Sequence, residues 1–384
     1  MKKIINKLNS FLLVLLCWLC FVIYWIIGRR KVKNKTIIII QLAKLGDMVC
    51  TTPMFRAVRE NYPENKIIVV GSIINKKLLE NHFDIDDYLI WENSFSKLIN
   101  DVRKIKPDFA CITSPNFKVL AGLILAGVPK ISTSKVEGGW CPFQTLPYRL
   151  ILPLVTSIPH RFGNYAPREY LRLLEPIGIK TGNTTKHLTY SKKAGERVKK
   201  FFLEKRLNPD QDFIVCISPS AGNKIKNWGG KKFASLADFL FEKYKANILI
   251  IGSPRDEEEV SEMIANILPT TKVINIIGQL NLDELKAMIS HSDLFISVDT
   301  GPIYIAEAFG VATIDIIGPM DEREQSPIGL RHKVIVPVRT APQLHIMNAR
   351  VYDKIEARRQ VEVISVETVI ETTDQLIKDI LLTP

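Results

Sequence analysis

The feature that most constrains the fold of this chain is an alternation of short apolar runs with helical patterns, which occurs twice along the sequence. In the first half, the apolar runs predict strands at 36–41, 67–71, 87–91, 108–113 and 130–133. Helical patterns separate or follow them at 52–61, 96–105, 116–127 and 168–178. Continuous apolar runs between helices are typical of parallel sheets with helices on both faces. We therefore expect the first half to fold as a doubly wound, Rossmann-like α/β domain.

The second half repeats the same alternation without repeating the sequence. Its predicted strands are 213–218, 247–252, 272–276, 294–298 and 313–317, and its predicted helices are 231–244, 256–268, 282–292 and 303–310. A chain of 384 residues is long enough for two domains of ordinary size. The sequence therefore predicts a second Rossmann-like domain of similar size.

The polar segments between and after these elements set the predicted domain boundaries. The stretch 179–193 is the best linker candidate, so we predict a first domain at 36–185 and a second at 186–345. The tail, 346–384, contains a predicted helix at about 365–382 with an apolar stripe. Such a stripe must be buried, and we expect the tail helix to pack back on the first domain.

Open parallel sheets bind ligands beyond the carboxyl ends of their strands. Two such domains facing each other would direct these ends into one central cleft, so we expect loop 42–48 of the first half and residues 299–301 of the second to face the same space. The segment 134–165 is rich in Pro and Gly and interrupts the alternation. We expect it to be a loop facing this cleft or a lid over it.

Residues 1–35 have the composition of a membrane anchor with basic flanks. The stretch 11–27 has seventeen residues and no charge, which as a helix is about 25 Å long and near the lower limit for crossing a bilayer. A cleaved signal peptide is the alternative, but Gly28 is followed at once by Arg-Arg-Lys instead of a run of small residues. Five cations follow the stretch and three precede it, so a single-pass helix would leave the remainder in the cytoplasm, at the inner membrane.

The distribution of charge and cysteine narrows the class of partner. The formal charge is +12, but eight cations and no acid fall within 1–35, which leaves +4 for the remaining residues. We therefore expect a membrane and no nucleic acid as a partner. The six cysteines are scattered, and no C-x-x-C pair lies outside the apolar stretch, so the sequence indicates neither a zinc site nor a disulfide framework.

The segment 297–310 contains the most informative local motif, an apolar strand that ends in Asp299-Thr300-Gly301-Pro302 and continues into a helix. Gly301 allows the backbone to approach a ligand closely, and Pro302 suits the first helical position. The free N–H groups and positive dipole end of that helix favour an anion, such as a diphosphate. The alternative is an ordinary strand-turn-helix connection.

Three motifs in this order resemble glycosyltransferase family nine, the bacterial ADP-heptose:lipopolysaccharide heptosyltransferases and their relatives. The first is Leu45-Gly46-Asp47-Met48-Val49 with Thr52, Pro53 and Arg56, the second is Ser218-Pro219-Ser220-Ala221-Gly222 with Lys226, Asn227 and Trp228, and the third is Asp299-Thr300-Gly301-Pro302. Each follows a predicted strand, and together they span residues 36–335. The resemblance implies a GT-B fold, which has two facing Rossmann-like domains, here preceded by one transmembrane helix.

The resemblance also implies catalytic roles. Asp47 would be the general base that takes the proton from the acceptor hydroxyl, which attacks the anomeric carbon and inverts it. The alternative for Asp47 is an N-cap of the helix that follows. Lys226 would neutralise the diphosphate leaving group together with the amides of Thr300 and Gly301, without a metal ion. The alternative for Lys226 is a solvated loop lysine.

Further contacts are expected on the same basis. Donor contacts are expected at Ser220 and Asp299, a ribose contact at Glu257, and acceptor or donor contacts at Lys44, Gly46 and Tyr304. Trp228 is expected to lie in the core. The acidic segment 84–87 imitates a metal-binding D-x-D motif but precedes a strand, so we interpret it as structural. No metal ion or cofactor is expected, because the nucleotide sugar, which could be ADP-heptose, is the substrate.

Two departures from the family pattern bear on function. The family usually carries His where this chain has Tyr304, and Tyr cannot be positively charged near pH 7. The N-terminal apolar stretch is also unusual for the family. Both features favour a divergent enzyme that acts on a lipid-linked, lipopolysaccharide or other envelope glycan.

The sequence leaves three functions open. The first is a membrane-anchored, inverting, metal-independent glycosyltransferase that moves heptose or a related sugar. The second is a nucleotide-sugar epimerase of the same fold, and the third is a non-catalytic, membrane-tethered protein that binds sugar nucleotides. A dehydrogenase is disfavoured, because no Gly-rich fingerprint follows the first strand of either half.

Overall fold

The computed structural model describes the backbone of residues 2–27 and 36–382, and the side chains of residues 8–27 and 36–379. The basic segment 28–35, part of the predicted anchor flanks, lies outside the described residues. The chain divides into two compact units, and the main division falls between Thr185 and Lys186. Unit 1 comprises Met1–Lys76 and Phe83–Thr185, and unit 2 comprises Lys77–His82 and Lys186–Pro384.

Unit 1 contains a parallel six-stranded sheet in the order β3-β2-β1-β4-β5-β6. The central strand β1 has four consecutive fully buried isoleucines, as expected of a strand covered on both faces. The strands are β1 Thr36–Ile40, β2 Lys66–Gly71, β3 Asp87–Ile90, β4 Phe109–Ile112, β5 Lys130–Glu137 and β6 Thr156–Arg161. The helices up to residue 185 are α1 Lys2–Ile27, α2 Leu45–Val49, α3 Thr52–Asn61, α4 Ile73–Leu78, α5 Phe95–Ile105, α6 Phe117–Leu125, α7 Leu146–Ile151 and α8 Ala166–Arg172.

Unit 2 contains a second parallel six-stranded sheet, in the order β12-β11-β10-β7-β8-β9. The strands are β7 Ile214–Ser218, β8 Asn247–Ile250, β9 Val273–Asn275, β10 Leu294–Val298, β11 Ala312–Ile316 and β12 His332–Ile335. The helices are α9 Lys192–Lys205, α10 Gly230–Tyr244, α11 Glu257–Asn266, α12 Leu282–Ser290, α13 Gly301–Ala308, α14 Glu322–Gln325, α15 Lys354–Glu362 and α16 Val366–Leu382. The predicted fold class, two doubly wound Rossmann-like domains, is confirmed.

The prediction that 134–165 is a loop or lid is wrong. This segment contains the end of β5, helix α7 and the strand β6, which pairs with β5 along its length. Its prolines are compatible with these elements, because Pro147 lies in the first turn of α7 and Pro159 lies on an edge strand, where no second neighbour needs its missing N–H. The composition therefore suggested a loop where the chain continues the sheet.

The prediction that the tail helix packs back on the first domain is also wrong. The apolar stripe of α16 is buried in the core of unit 2, where Val369, Leu376 and Ile377 are at most 1% exposed. Helix α10 is among its neighbours, and Lys243 on α10 forms an ion pair with Asp374 at 2.5 Å. The stripe was identified correctly, but its partner depends on the topology of the second sheet.

Helix α1 is long and apolar enough over Leu8–Ile27 to cross a membrane, a property it would share with a signal sequence. It packs on α6 and α7 of unit 1 through one narrow face. Val14 and Cys17 are buried in that contact, while most of the other side chains of the helix are exposed. Membrane crossing is therefore compatible with the composition of α1 but is not determined by it.

Candidate active site

The sheet order of unit 2 brings two loops together. Strands β7 and β10 are neighbours, and the chain leaves them toward opposite edges of the sheet, which makes this the point where ligands bind in open α/β sheets. The loop after β7 carries Lys226, and the turn after β10 carries Asp299. Lys226 Nζ lies 2.7 Å from Asp299 Oδ2 in an ion pair that is almost fully buried. The alternative reading of Lys226 as a solvated loop lysine is therefore wrong.

The turn after β10 leads directly into α13. Thr300 is the N-cap of α13, and it makes no side-chain capping hydrogen bond to the helix. Gly301 and Pro302 form the first turn, as the motif predicts. The first amides of a helix have no intrahelical partner, so the start of α13 offers N–H donors and a partial positive charge beside the Lys226–Asp299 pair.

Tyr304 lies in the first turn of α13 and is 3% exposed. Its hydroxyl donates a hydrogen bond to Asp299 Oδ1, so Asp299 receives Lys226 on one oxygen and Tyr304 on the other. The residue that replaces the usual His of the family is thus a neutral donor that fixes the same carboxylate. The presence of Tyr at position 304 therefore affects Asp299 inside the site and not the surface of the protein.

A second carboxyl group lies behind this pair. Asp315 on β11 is fully buried, and the Ser326 hydroxyl is a polar side chain near its carboxyl group. Burial raises the pKa of Asp315 well above its ordinary value, and the neighbouring charge of Asp299 raises it further, while Lys226 acts in the opposite direction. The protonated, neutral form of Asp315 is therefore favoured, which limits the negative charge beneath Lys226.

A buried ion pair adjoins Tyr304 on the other side. Lys186 Nζ lies 2.6 Å from Glu307 Oε2, and the Lys186 side chain is fully buried. The same ammonium lies 5.7 Å from the centroid of the Tyr304 ring, within the range of a cation–π contact. Burial raises the pKa of Glu307, and the charge of Lys186 opposes this shift. This ion pair helps to position α13, because Glu307 lies on that helix.

The loop after β7 is fixed by contacts within unit 2. Ser220 Oγ donates to Asp256 Oδ1 at 2.7 Å, which ties this loop to the start of α11. Trp228 is 1% exposed, and its Nε1 donates to the Ile364 carbonyl at 2.9 Å, so the expectation that Trp228 belongs to the core is confirmed. Glu257, the predicted ribose contact, is exposed at the first position of α11.

In unit 1, Asp47 lies inside α2, the short helix that follows β1. The N-cap of α2 is Lys44 and that of α3 is Thr51, so the alternative reading of Asp47 as an N-cap is wrong. The Asp47 carbonyl accepts hydrogen bonds from Thr51 Oγ1 at 2.7 Å and Gln41 Nε2 at 3.4 Å. The backbone of Asp47 is therefore held by the end of β1 and the start of α3.

The two flanking candidates differ in exposure. Lys44 is exposed, whereas Gly46 is buried within α2. Gly71 at the end of β2 lies close behind this loop, because a Cβ there would lie 2.2 Å from the Tyr88 hydroxyl and 2.8 Å from the Gln41 carbonyl. Glycine at position 71 thus permits the close packing that supports the Asp47 segment.

One group in the described part of unit 2 has the composition of a cation site. Single ligand atoms of Asp321, Glu324 and His345 lie within 4.8 Å of one another. His345 Nδ1 lies 3.1 Å from Glu324 Oε1, and Arg323 makes a two-pronged ion pair with Asp321. These contacts explain the group as a hydrogen-bonded cluster that fixes α14, although the same ligands could hold a divalent cation. In the D-x-D-like segment 84–87, Asp86 has structural partners, because it pairs with Arg59 at 2.8 Å and accepts the Ile67 N–H.

Sequence reasoning missed several residues of the site. Asp315 interrupts the otherwise apolar run of β11, and a carboxylate at the centre of a buried strand is a signal that could have identified it. Gln41 follows directly after the isoleucines of β1 and gave a similar signal. Lys186 and Glu307 gave none, because their pairing joins segments that are 121 residues apart.

Comparisons with known proteins indicate a family and a fold. Residues 164–350 match the model of glycosyltransferase family 9 (heptosyltransferase). Lipopolysaccharide heptosyltransferase 3 of Escherichia coli (strain K12) is 24% identical over 279 residues, which cover 72% of this chain and 80% of the relative.

Two solved structures establish the similarity of fold. A glycosyl transferase family 9 protein from Veillonella parvula DSM 2008 is 22% identical, with a TM-score of 0.73 over 92% of this chain and 100% of that one. The E. coli ADP-heptose lipopolysaccharide heptosyltransferase II is 18% identical, with a TM-score of 0.69 over 90% of this chain and 99% of that one.

Proposed function

We infer that the chain is a glycosyltransferase of family 9 with a GT-B-like fold, and on this premise we propose the reaction that it catalyses. It transfers heptose, or a related sugar, from a nucleotide-diphosphate sugar to a lipopolysaccharide or other envelope glycan. Transfer inverts the anomeric carbon and requires no metal ion or cofactor. The named activities of the relatives support the sugar and acceptor classes, because two of them are a lipopolysaccharide heptosyltransferase and an ADP-heptose lipopolysaccharide heptosyltransferase.

The observation that carries the proposal is the linked set Lys226, Asp299 and Tyr304 at the start of α13. A partly buried lysine beside the N-terminus of a helix matches the charge of a diphosphate. When the donor binds, its diphosphate competes with Asp299 for the Lys226 ammonium. Tyr304 keeps a hydrogen bond on Asp299 during this exchange, so the carboxylate is not left without a partner.

We assign the proton transfer to Asp47. Its carboxylate accepts the proton of the acceptor hydroxyl, the oxygen forms a bond to the anomeric carbon, and the bond from that carbon to the diphosphate oxygen breaks. The nucleoside diphosphate leaves with the bonding electrons, and its charge is stabilised by Lys226 and the amides of Thr300 and Gly301. A single displacement of this kind inverts the anomeric carbon.

The same residues support a metal-independent reaction. Metal ions in phosphate chemistry neutralise the leaving group, and here Lys226 with the start of α13 performs that role. The raised pKa of Asp315 is consistent with this assignment, because burial disfavours a second negative charge that would weaken the attraction between Lys226 and the donor. The Asp321, Glu324 and His345 cluster takes no part in the proposed reaction.

We further propose that α1 anchors the enzyme to the cytoplasmic side of the inner membrane. The apolar composition of Leu8–Ile27 supports an anchor, and the basic flanks support the cytoplasmic location of the remaining residues. A glycan acceptor linked to lipid would be present at the same surface.

The direct test is a thermal-shift series on the full chain in detergent with ADP-, UDP-, GDP- and CDP-sugars, each with and without Mg²⁺. A ligand at a hundred times its Kd adds about 2.7 kcal/mol to the stability, which such a measurement resolves. We expect a shift with one nucleotide class, independent of Mg²⁺ and lost in Lys226→Ala. Lys224→Ala is the matched control, because Lys224 lies on the same short turn but pairs with Glu259.

Two outcomes would contradict the proposal. A shift that requires Mg²⁺ would show that a metal ion binds the diphosphate, and a shift retained in Lys226→Ala would remove Lys226 from the site. Turnover of the donor without any acceptor would instead favour the epimerase. Binding without turnover in the presence of acceptor would favour the non-catalytic binding protein.

A further inference from the structure

Helix α1 is attached lengthwise to unit 1. Val14 and Cys17 are 6% and 0% exposed against α6 and α7, and Trp18 Nε1 donates a hydrogen bond of 3.1 Å to the Leu150 carbonyl on α7. Farther along, Tyr24 lies so close to Gly127 that a Cβ there would be 2.8 Å from the Tyr24 hydroxyl. The contact therefore runs from residue 14 to residue 24, which is about 15 Å of helix.

The opposite face of α1 is apolar and has no protein partner in the described residues. Leu15, Leu19 and Ile26 are 66%, 56% and 70% exposed. The apolar surface continues onto α7, where Leu146 and Leu150 are also exposed. An exposed apolar surface of this extent is rare in a soluble monomer and indicates a binding partner.

A groove extends this surface at the C-terminal end of α1. It has a volume of about 830 Å³ and is lined by Phe21, Tyr24 and Trp25 of the helix, and by residues 153–156 of unit 1. It is open along one side. Aromatic rings at the edge of an apolar surface are typical of the boundary between lipid headgroups and acyl chains.

The charges around α1 identify the partner more closely. No charged residue occurs between Leu8 and Ile27, whereas three lysines precede this stretch and five cations follow it within residues 28–35. Cations that flank an apolar helix on both sides are attracted to an anionic surface. If the helix lies along one such surface, both groups of cations can interact with it. A helix that crosses the bilayer would leave three of these cations on the opposite side, which reduces the positive-inside bias to five cations against three.

Crossing also conflicts with the packing of α1. If residues 14–24 lay in the hydrocarbon core, the attached helices α6 and α7 would lie at the same depth, with the exposed charges of Lys118 and Arg149. If α1 detached to avoid this, the surface of unit 1 that covers Val14 and Cys17 would become exposed. Both alternatives cost free energy, because they place charges in lipid or apolar surface in water.

We propose that α1 remains docked on unit 1 and lies in the plane of an anionic lipid surface, with its exposed apolar face in the boundary between headgroups and acyl chains. The cations that precede and follow this helix in the sequence match the charge of such a surface. The protein is then attached to one face of the membrane and does not cross it, which replaces the single-pass topology expected from the sequence. The proposal does not depend on the transfer reaction, and its tests measure no activity.

The first test is the location of the N-terminus. A short epitope and a protease site are added before Met1 of the full chain, and intact spheroplasts are treated with the protease. We expect the epitope to be protected in intact spheroplasts and removed only after lysis. Removal from the outside of intact spheroplasts would show that α1 crosses the membrane and would overturn the proposal.

The second test measures binding of the purified full chain to vesicles by flotation. We expect at least tenfold stronger binding to vesicles with one-third phosphatidylglycerol than to pure phosphatidylcholine vesicles. The double variant Leu15→Glu with Leu19→Glu should lose at least tenfold of this binding and keep the unfolding temperature of the wild type. Leu203→Glu is the matched control, because Leu203 is 76% exposed on α9 of unit 2, and it should bind as the wild type does.

Three results of the second test would overturn the proposal. The first is equal binding to both vesicle types, and the second is unchanged binding of the double variant. The third is a wild-type protein that forms a stable dimer while the double variant is a monomer. The last result would show that a second copy of the chain, and not lipid, covers α1.

Discussion

At the scale of single residues, Asp299 is the group on which the site depends, because it joins Lys226 to Tyr304. Lys226 reaches Asp299 from the loop after β7, and Tyr304 reaches it from the first turn of α13. A carboxylate held by two donors in a buried position has one orientation. Its neighbours can therefore be tested one at a time.

Removal of the Tyr304 hydroxyl tests this arrangement. Tyr304→Phe leaves one buried oxygen of Asp299 without a donor, so we expect the free energy of unfolding to fall by about 1–3 kcal/mol. Urea unfolding at neutral pH measures it. A change below about 0.5 kcal/mol, as at an ordinary surface site, would show that the bond contributes nothing in solution.

Tyr304→His introduces the residue that the family usually carries. An imidazole titrates near pH 6.5, so the charge beside Asp299 and Lys226 would change across the physiological range. We expect the Kd for the donor to depend on pH between about 5.5 and 7.5 in the variant more strongly than in the wild type. Parallel pH profiles for the two proteins would contradict this expectation.

His332 gives unit 2 a predictable sensitivity to acid. Burial, together with the charges of Lys186 and Arg331, lowers the pKa of His332 from 6.5 to about 4. The unfolded chain therefore binds a proton at a higher pH than the folded chain does, and stability is lost as the pH falls from about 6.5 to about 4. We expect His332→Gln to reduce this loss, measured as the difference in unfolding free energy between neutral pH and the acid limit. An identical acid profile in the variant would contradict the assignment.

At the scale of elements, the tail helix α16 shows what an apolar stripe in the sequence predicts and what it does not. Its stripe is clear in the sequence, but the sequence does not say which core receives it. Leu376→Ala should cost about 2–5 kcal/mol, because the side chain is 1% exposed in the core of unit 2. The exposed Leu203→Ala is the control.

Hydrogen exchange locates the effect of Leu376→Ala. We expect faster exchange in α10, which packs against α16, and unchanged exchange in α3 of unit 1. Faster exchange in α3 with α10 unaffected would restore the original prediction that the tail stabilises the first domain.

The strands that sequence predicted best are the continuous apolar ones. β10 was predicted with the bounds that it has, and β1 within one residue, because a run of buried aliphatic residues between helices has few alternatives. β6 and its Thr-Ser-Ile-Pro-His-Arg sequence were missed, because an edge strand tolerates polar residues and Pro. α9 was missed because its many charges resemble those of a linker.

The same limits apply to the site. Sequence placed Lys226 and Asp299 each after a predicted strand, but their contact requires β7 to lie beside β10, and the alternation of elements does not give the strand order. Asp315 likewise reaches the site through its register, opposite Ser297 on β10. Such neighbours are a property of the sheet and not of any local segment.

At the scale of the whole molecule, the proposed reaction draws on motifs from each of the two doubly wound units, which are far apart in the sequence. Asp47 belongs to unit 1, whereas Lys226 and Asp299 belong to unit 2. The proposed attachment of α1 along unit 1 would hold the enzyme at the surface where a lipid-linked acceptor occurs. The transfer reaction is therefore the property to measure.

The most direct measurement is a transfer assay with the full chain, ADP-heptose and a truncated lipopolysaccharide core, in the presence of EDTA, with the anomeric configuration of the product determined by NMR. We expect transfer without a metal ion, an anomeric configuration opposite to that of the donor, and a rate at least a hundredfold lower in Asp47→Asn. Retention of configuration, a requirement for Mg²⁺, or full activity of Asp47→Asn would contradict this expectation.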